Sequence, residues 1–515
     1  MNASHKYIPF FALALLMAAV LFFIYPHYQY YIDPDGTAYL TIAKRYADGD
    51  WSKAINGYWS PWSCWLTAII IKTGLDPIPA SIIINALGAV GFLFITQSFF
   101  LRFDIVRILQ WVLLATLGLF LCFAVFWQSF DDLWECFFLL VALRLMLAAD
   151  FLYRPRLWVL LGIAGALAYF AKAYSLPFFI LNIACCLFFL SKDNRRQWLK
   201  VTGVAVAAMI VCSIPWIFAL HDKYGIWTTS TAGPLNTSWY LVGHQLYKPE
   251  LKGLLPPAYP DSPYFWEDPY SVTGDTPHFW SSWYFFGRQL LKVVQNCYKL
   301  LESMLQLSVF FPLITLVAWL LLTSKKLKQL FTDDISVVAL SFLLFPLGYL
   351  LVNFESRYIW YMLPLGMLMG ALMLQKYAGR NLVYAGCAVT FLLYPAWQMY
   401  RLYDTGKEEY QWAQELRLRN IQGGFTGIVS PGKLIQSAAR LAYFSGNPFY
   451  YLKAARITEN DLVTEMRQYG IHYFFVYTYA ANGFYMVPRK LEATGSRVTE
   501  TDIGETNEIK VFKLN

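Results

Sequence analysis

The chain has few charged residues for its length. Charged residues make up 14% of its 515 residues, whereas hydrophobic residues make up 57%. Soluble domains carry roughly 25% charged residues, so this composition excludes a soluble globular protein for most of the chain. Runs of about 20 apolar residues, enough to cross ~30 Å of hydrocarbon as a helix, recur from Tyr7 to Tyr400. The sequence therefore predicts a polytopic α-helical membrane protein.

The sequence also lacks internal repeats and cysteine motifs. The chain has no internal repeat, and its eight cysteines form neither a disulfide framework nor a metal motif. All but Cys64 and Cys297 lie in hydrophobic runs, where cysteine behaves as a small apolar residue. The net charge of +8 does not indicate nucleic-acid binding, because the basic residues fall mostly in short loops between apolar runs.

The apolar runs predict about eleven membrane spans. These are 7–25, 80–101, 108–128, 133–153, 157–171, 174–190, 201–220, 302–323, 335–353, 358–376 and 381–400. The first run lacks a small-residue cleavage site, so we interpret it as a retained anchor with a cytoplasmic N-terminus. Every inner loop then carries lysine or arginine, as the positive-inside rule requires. The apolar stretch 62–73 is too short to span and predicts an interfacial or re-entrant helix.

This topology defines two predicted domains. Residues 1–404 form the transmembrane module, with long outer loops at 26–79 and 221–300. In the second loop Trp266, Trp280 and Trp283 are placed as interfacial anchors would be. From residue 405 to 515 the sequence turns polar and predicts a small α/β domain on the outer face, without a Gly-rich phosphate loop. Its predicted helices are 407–420, 433–444 and 461–469, and its predicted strands are 427–430, 472–477 and 508–513.

Charged residues gather at the predicted outer ends of four distant segments. They are Asp33 and Asp35 in the first loop, Asp131 and Asp132 where a span re-enters the membrane, Lys172 in an apolar run, and Glu355 with Arg357 at the start of another span. Each has a plain alternative. Asp-Pro-Asp-Gly is ordinary turn chemistry, in which Asp35 can be an N-cap. Two acids in a hairpin turn can be solvated, and Lys172 can snorkel to the interface. Glu355 and Arg357 can be a structural pair.

Acids and cations at one membrane depth suit a reaction on an anionic lipid-linked substrate. Carboxylates can deprotonate an acceptor hydroxyl, while lysine and arginine can neutralise a phosphate leaving group. A transporter would instead favour acids near the bilayer midplane. The predicted spans are largely free of them, and Glu135 is the clearest exception.

The motifs that carry these residues occur in a distinctive order. They are Asp33-Pro-Asp-Gly-Thr-Ala-Tyr-Leu40, Gly57-Tyr-Trp-Ser-Pro-Trp62, Ser129-Phe-Asp-Asp-Leu133, Phe170-Ala-Lys-Ala173 and Arg357-Tyr358. The ordered set resembles the GT-C class of integral membrane glycosyltransferases, in the branch of the protein O-mannosyltransferases and the lipid A aminoarabinose transferase. The resemblance covers most of residues 1–400 and implies a GT-C fold.

The resemblance also implies roles for these residues. Asp35, with Asp33 as second choice, corresponds to the catalytic base, and Asp131 or Asp132 to a second acid that supports the acceptor or a divalent cation. Lys172 and Arg357 correspond to the residues that face the lipid phosphate. Tyr39, Trp59, Trp62 and Tyr358 are candidate sugar or lipid contacts, although aromatic residues in such loops also serve as interfacial anchors.

From this we expect an inverting glycosyltransferase of the bacterial inner membrane, with its site on the periplasmic face. The donor would be a polyprenyl-phosphate sugar and the acceptor a hydroxyl of a cell-envelope lipid or glycan, with a protein hydroxyl as the alternative. A flippase for lipid-linked sugars would bind the same phosphate without forming a glycosidic bond. The two classes differ in structure: a transferase needs the acids of the first outer loop, Lys172 and Arg357 in one outward-facing cavity.

Overall fold

The structure of the chain is a computed structural model. It describes residues 6–126, 131–190, 195–242, 253–324, 333–352, 354–377, 381–428, 434–453, 459–477, 498–503 and 509–514. The motif residues Ser129 and Phe130 lie outside these ranges.

Helices dominate the first 402 residues. In chain order they are α1 (Ile8–Tyr28), α2 (Pro34–Asp48), α3 (Trp51–Ala54), α4 (Pro61–Ile71), α5 (Pro77–Arg102), α6 (Arg107–Phe126), α7 (Asp132–Met146), α8 (Pro155–Ala171), α9 (Ser175–Leu190), α10 (Arg195–Tyr224), α11 (Ala232–Val242), α12 (Pro269–Thr273), α13 (Trp283–Leu307), α14 (Phe311–Thr323), α15 (Asp333–Leu344), α16 (Met362–Tyr377), α17 (Asn381–Val389) and α18 (Leu393–Leu402). Short 3₁₀ segments at Phe345–Leu351 and Ser356–Ile359 connect α15 to α16.

The helical positions agree with most of the predicted spans. Within the described residues, α1, α5, α6, α10 and the segment Asp334–Leu351 are each long and apolar enough to cross a membrane, and the bent pair of α13 and α14 counts as a sixth. The helices α8 and α9 are apolar but shorter. The chain is an integral membrane protein, and the count of eleven spans stays a prediction.

Several predicted spans are not single continuous α-helices. The predicted span 302–323 is two helices that meet at an angle of 110°, because α13 ends at Leu307 and α14 begins at Phe311. The span 133–153 ends as an α-helix at Met146. The span 381–400 is interrupted by a 3₁₀ turn at Thr390–Leu392. Hydropathy reports apolar content but not helix breaks, which explains these errors.

The first outer loop is folded rather than extended. Asp33 caps α2 by accepting a hydrogen bond from the Gly36 backbone N–H at 2.6 Å, and Pro34 occupies the first turn, where its missing N–H is harmless. The predicted short apolar helix at 62–73 is present as α4. Helices α2 and α4 pack against each other and carry the loop back to the membrane helices.

The last hundred residues contain the predicted α/β elements. Their helices are α19 (Lys407–Leu418), α20 (Leu434–Ser445) and α21 (Glu459–Gln468). Strands β2 (Phe425–Ile428), β4 (Tyr473–Tyr477), β6 (Ile509–Leu514) and β5 (Val498–Ile503) form one sheet in that order, in which β2 pairs parallel to β4 and the other pairs are antiparallel. A separate two-stranded sheet joins β1 (Gly253–Leu255) to β3 (Tyr451–Lys453).

The buried apolar residues form two clusters. One fills the helical bundle, and the other joins the first outer loop, the second outer loop and the C-terminal elements. In the second cluster Leu40 of α2, Phe265 of the second loop and Trp412 of α19 share one core. The C-terminal elements are therefore packed directly on the loops that carry the candidate site.

Candidate active site

A cavity of about 710 Å³ lies where the outer loops meet the bundle. This volume is within the usual range for a small-molecule site. Its walls include most of the residues singled out from the sequence: Asp35, Tyr39, Trp59, Asp131, Asp132, Lys172, Arg357 and Tyr358. Asp33 and Trp62 are not among its lining residues. Four sequence-distant segments thus converge on one cavity.

Asp35 sits in the first turn of α2, with 22% of its side chain exposed. Its Oδ2 accepts a hydrogen bond from Arg357 Nη2 at 2.7 Å, and its Oδ1 accepts one from Trp266 Nε1 at 3.1 Å. Carboxylates in the first turn are also stabilised by the helix dipole. The carboxylate is therefore held in one orientation at the cavity surface.

Arg357 contacts three carboxylates at the cavity. Besides Asp35, its Nε lies 3.0 Å from Glu355 Oε2 and 3.6 Å from Asp132 Oδ2. Its side chain is buried, and a buried guanidinium requires such partners. The pairing of Glu355 with Arg357, considered above as a structural alternative, is thus present together with contacts to two cavity carboxylates.

Lys172 ends α8 and enters the same network. Its ammonium group donates to Asp132 Oδ1 and lies 3.9 Å from Glu135 Oε2. It also lies 4.0 Å from the centroid of the Tyr358 ring, a cation–π geometry. Lys172 therefore points inward to carboxylates and an aromatic face rather than snorkelling to the interface.

The two neighbouring acids Asp131 and Asp132 differ in their surroundings. Asp132 contacts both cations, Lys172 and Arg357. Asp131 accepts hydrogen bonds from the backbone N–H and the hydroxyl of Ser63, at the start of α4. Burial raises the pKa of Asp131 to about 8, although the Ser63 and Tyr39 hydrogen bonds oppose the shift. Asp131 therefore links α4 to the bundle through its hydrogen bonds with Ser63.

Asp33 is removed from the cavity that holds Asp35. Its side chain is 4% exposed, caps α2 through Gly36 and lines a separate small pocket with Tyr28 and Asn85. Burial, and next the nearby carboxylate of Asp35, raise the pKa of Asp33 well above its usual value. The N-cap of α2 is thus Asp33 and not Asp35, the residue for which the sequence offered capping as the alternative role.

Three of the four candidate aromatic residues line the cavity, and Trp62 does not. Tyr39 and Trp59 line the cavity with ring centroids 5.0 Å apart, and Tyr358 lies beneath Lys172. Trp62 instead packs edge-on against Trp134 and Phe138 of α7. The Trp62 ring therefore serves the packing of α4 on the bundle.

The interpretation of Trp266 as an interfacial anchor is wrong. Trp266 is buried and directs its indole N–H at Asp35, whereas Trp280 and Trp283 are 67% and 88% exposed. A tryptophan in a Pro- and Tyr-rich loop is compatible with either environment. Arg45 of α2 pairs with Glu267 of this loop, more than 200 positions away, and no local sequence pattern reveals such a pair.

Sequence reasoning also missed Tyr58 and Asn236 as cavity residues. The Tyr58 hydroxyl donates to Asn236 Oδ1 at 3.0 Å across the cavity wall. Asn236 lies within helix α11. Tyr58 stands inside the Gly57–Trp62 motif, which could have identified it.

Glu135 is one turn into α7 and outside the cavity lining. It accepts hydrogen bonds from Ser175 at 2.9 Å and from Tyr349 at 3.2 Å. These partners satisfy its carboxylate inside the bundle. Within the ranges that the structure describes, no group of three or more His, Cys, Asp or Glu side chains is arranged to hold a metal ion.

Comparisons by sequence give no relative. No family model matches the chain, and no curated protein matches it. Residue roles therefore rest on geometry and chemistry.

Comparisons of structure give clear similarities. ArnT from Cupriavidus metallidurans, in a crystal structure bound to undecaprenyl phosphate, superposes with a TM-score of 0.57 and 11% identity over 99% of this chain and 98% of ArnT. The oligosaccharyltransferase of Archaeoglobus fulgidus has a TM-score of 0.52 and 12% identity over 92% of this chain and 69% of its own. A mutant of the mycobacterial arabinofuranosyltransferase AftD has a TM-score of 0.52 and 12% identity, over 97% and 41% of the two chains. All three proteins are GT-C glycosyltransferases. This chain has the GT-C fold, as its motifs predicted.

Proposed function

We propose that this protein is an inverting glycosyltransferase that moves a sugar from a polyprenyl-phosphate donor to an acceptor hydroxyl of a cell-envelope lipid or glycan. The observation that carries the proposal is the shared cavity, which is lined by an oriented carboxylate, Asp35, and by two cations, Lys172 and Arg357. A base and a phosphate-binding pair are the groups that this transfer needs.

The donor phosphate would bind at Lys172 and Arg357. A guanidinium suits a phosphate because its N–H groups match two oxygens at once, and a lysine adds a compact charge. ArnT, which has the same fold, was crystallised with undecaprenyl phosphate. These cations would stabilise the departing phosphate, whose low basicity makes protonation by a general acid unnecessary.

The apolar part of the cavity suits the polyprenyl chain. It is lined by Pro177, Phe178 and Leu181 from α9, and by Leu344 and Leu347 from the facing segment. Leu181 and Leu347 also have exposed surface. An isoprenoid could therefore extend from the bundle surface to the charged centre while its phosphate stays beside Lys172.

Asp35 would act as the base. As the acceptor oxygen attacks the anomeric carbon, its proton passes to Asp35, the new C–O bond forms, and the bond from the anomeric carbon to the phosphate oxygen breaks. The polyprenyl phosphate leaves with that electron pair. A single displacement of this kind inverts the anomeric configuration.

The Asp35–Arg357 contact would change during the cycle. In the structure Arg357 Nη2 lies 2.7 Å from Asp35 Oδ2 and holds that oxygen. A donor phosphate that binds Arg357 competes with Asp35 for the guanidinium. Donor binding would therefore free Asp35 Oδ2 from Arg357 for the acceptor hydroxyl when a leaving group is in place.

Asp132 would complete the site. It contacts both cations, so it holds them in position before the donor arrives. Asp131 would support the acceptor side through Tyr39 and Ser63. We also propose that these two acids could bind a divalent cation. We place the site on the periplasmic face and the protein in the inner membrane, as predicted from the sequence.

The proposal can be tested in cells and with the purified protein. Lipids and glycans from a strain that lacks the gene would be compared by mass spectrometry with those from strains that carry the wild type or Asp35→Asn. We expect one sugar modification to disappear in the deletion strain and in the Asp35→Asn strain. Identical lipid, glycan and protein modifications in all strains would contradict the proposal. Loss confined to glycoproteins would identify a protein acceptor instead.

A further inference from the structure

The C-terminal elements reach the segment that leads into the candidate base. Arg440 of α20 is 7% exposed and donates from Nε and Nη2 to Glu409 Oε1 of α19, at 3.1 and 2.6 Å. Its Nη1 donates at 3.3 Å to the backbone carbonyl of Ile32. Ile32 directly precedes Asp33, the cap of α2, and Asp35 lies in the first turn of that helix.

Further contacts hold the same segment. Gly406 has a φ of +90°, and a Cβ there would lie 2.1 Å from the Tyr30 carbonyl oxygen, so only glycine allows this approach. The rings of Tyr30 and Tyr410 stack with centroids 4.5 Å apart. The backbone N–H of Asp404 donates to the His27 carbonyl at 3.0 Å.

We propose that the buried Arg440–Glu409 pair is a positioning device, through which the C-terminal elements fix the start of α2 and hence the orientation of Asp35. A buried ion pair contributes little net stability compared with well-packed apolar residues, so its value here lies in the fixed third contact to Ile32. If the contact is lost, the cap is free to open locally and Asp35 loses its alignment with Arg357. The catalytic part of this inference rests on the proposed function, whereas the structural part does not.

The first arm of the test needs no substrate. Hydrogen exchange of the full-length protein in nanodiscs would be followed in peptides that cover residues 30–40. Arg440→Met should raise exchange in these peptides by about tenfold or more, since the cap opens more often. Glu409→Gln should raise it less, because glutamine retains an acceptor oxygen for Arg440. The matched control is Arg419→Met, which removes the exposed Arg419–Glu415 pair of α19 and should leave the peptides unchanged.

The second arm measures transfer from a polyprenyl-phosphate sugar. Arg440→Met should lower kcat by roughly tenfold or more, with less than about a threefold change in the donor KM, because misplacement of a base affects the transition state more than donor binding. Arg440→Lys should recover part of the rate. Unchanged exchange at residues 30–40 in both Arg440→Met and Glu409→Gln would overturn the inference, as would an unchanged kcat. If the wild type transfers no sugar, the proposed function fails, while the exchange arm still decides the positioning role.

Discussion

Replacing each acid of the Asp-Pro-Asp motif with asparagine separates a catalytic carboxylate from a structural one. Asp35→Asn removes the only group at the cavity surface of α2 that can take a proton, and we expect kcat to fall by about 10²–10⁴, which corresponds to roughly 3–5 kcal/mol. Asp33→Asn should lower kcat by less than about threefold, because asparagine caps helices as well as aspartate does.

The structure explains this contrast. Burial raises the pKa of Asp33 well above its usual value, which favours the neutral carboxyl, and asparagine is a neutral side chain of the same shape. Its acceptor oxygen can still receive the 2.6 Å hydrogen bond from Gly36. Asp35, by contrast, faces Arg357 and Trp266 as an acceptor of two hydrogen bonds. Asparagine at this position keeps the shape but loses the charge and the basicity.

The assay would measure release of polyprenyl phosphate by purified protein in nanodiscs, with synthetic polyprenyl-phosphate hexoses and pentoses and a membrane lipid extract as acceptor. Thermal unfolding of each variant would serve as the folding control. Equal losses of kcat in Asp33→Asn and Asp35→Asn would refute the separation of roles. Full activity of Asp35→Asn would refute the base assignment itself.

Three further predictions concern the walls of the cavity. Lys172→Met should raise the donor KM by about tenfold or more in steady-state assays, because it removes a charged hydrogen bond to phosphate, whereas Lys172→Arg should retain most binding. For Asp131, whose pKa rises from 3.8 to about 8 on folding, the folded state binds more protons between these values, so stability to denaturant should fall as the pH rises from 4 to 8. Asp131→Asn should remove this part of the slope, and an unchanged slope would exclude a protonated Asp131. Trp266→Phe should lower kcat by about tenfold through the lost hydrogen bond to Asp35, whereas Trp62→Phe should change it by less than about twofold; equal effects would contradict the geometry.

Much of the helical architecture could be predicted because the bilayer imposes a length and an apolar composition on each span. The C-terminal elements were also predictable from their periodicity, and the observed helix Leu434–Ser445 lies within one residue of the predicted one. The predictions failed where chain geometry, not composition, decides. The break between Leu307 and Phe311 and the strands Tyr451–Lys453 and Val498–Ile503 belong to this group.

The candidate site also contains residues that the sequence predicts and residues that only the tertiary structure identifies. Charged residues at the ends of apolar runs are conspicuous in sequence, so Asp35, Lys172 and Arg357 could be found without a structure. The choice between Asp33 and Asp35 could not be made, because it depends on which carboxylate turns back to cap α2. Trp266 escaped detection since its position follows from ion pairs between distant loops.

Transfer by the purified protein tests the central claim most directly. Proteoliposomes would contain a polyprenyl-phosphate sugar labelled in both the sugar and the lipid, together with an acceptor extract. The account predicts that the wild type releases one polyprenyl phosphate for each sugar that appears on an acceptor with inverted anomeric configuration, and that Asp35→Asn does neither. A donor that crosses the bilayer intact, with no sugar transferred to any acceptor, would contradict the account and identify a flippase.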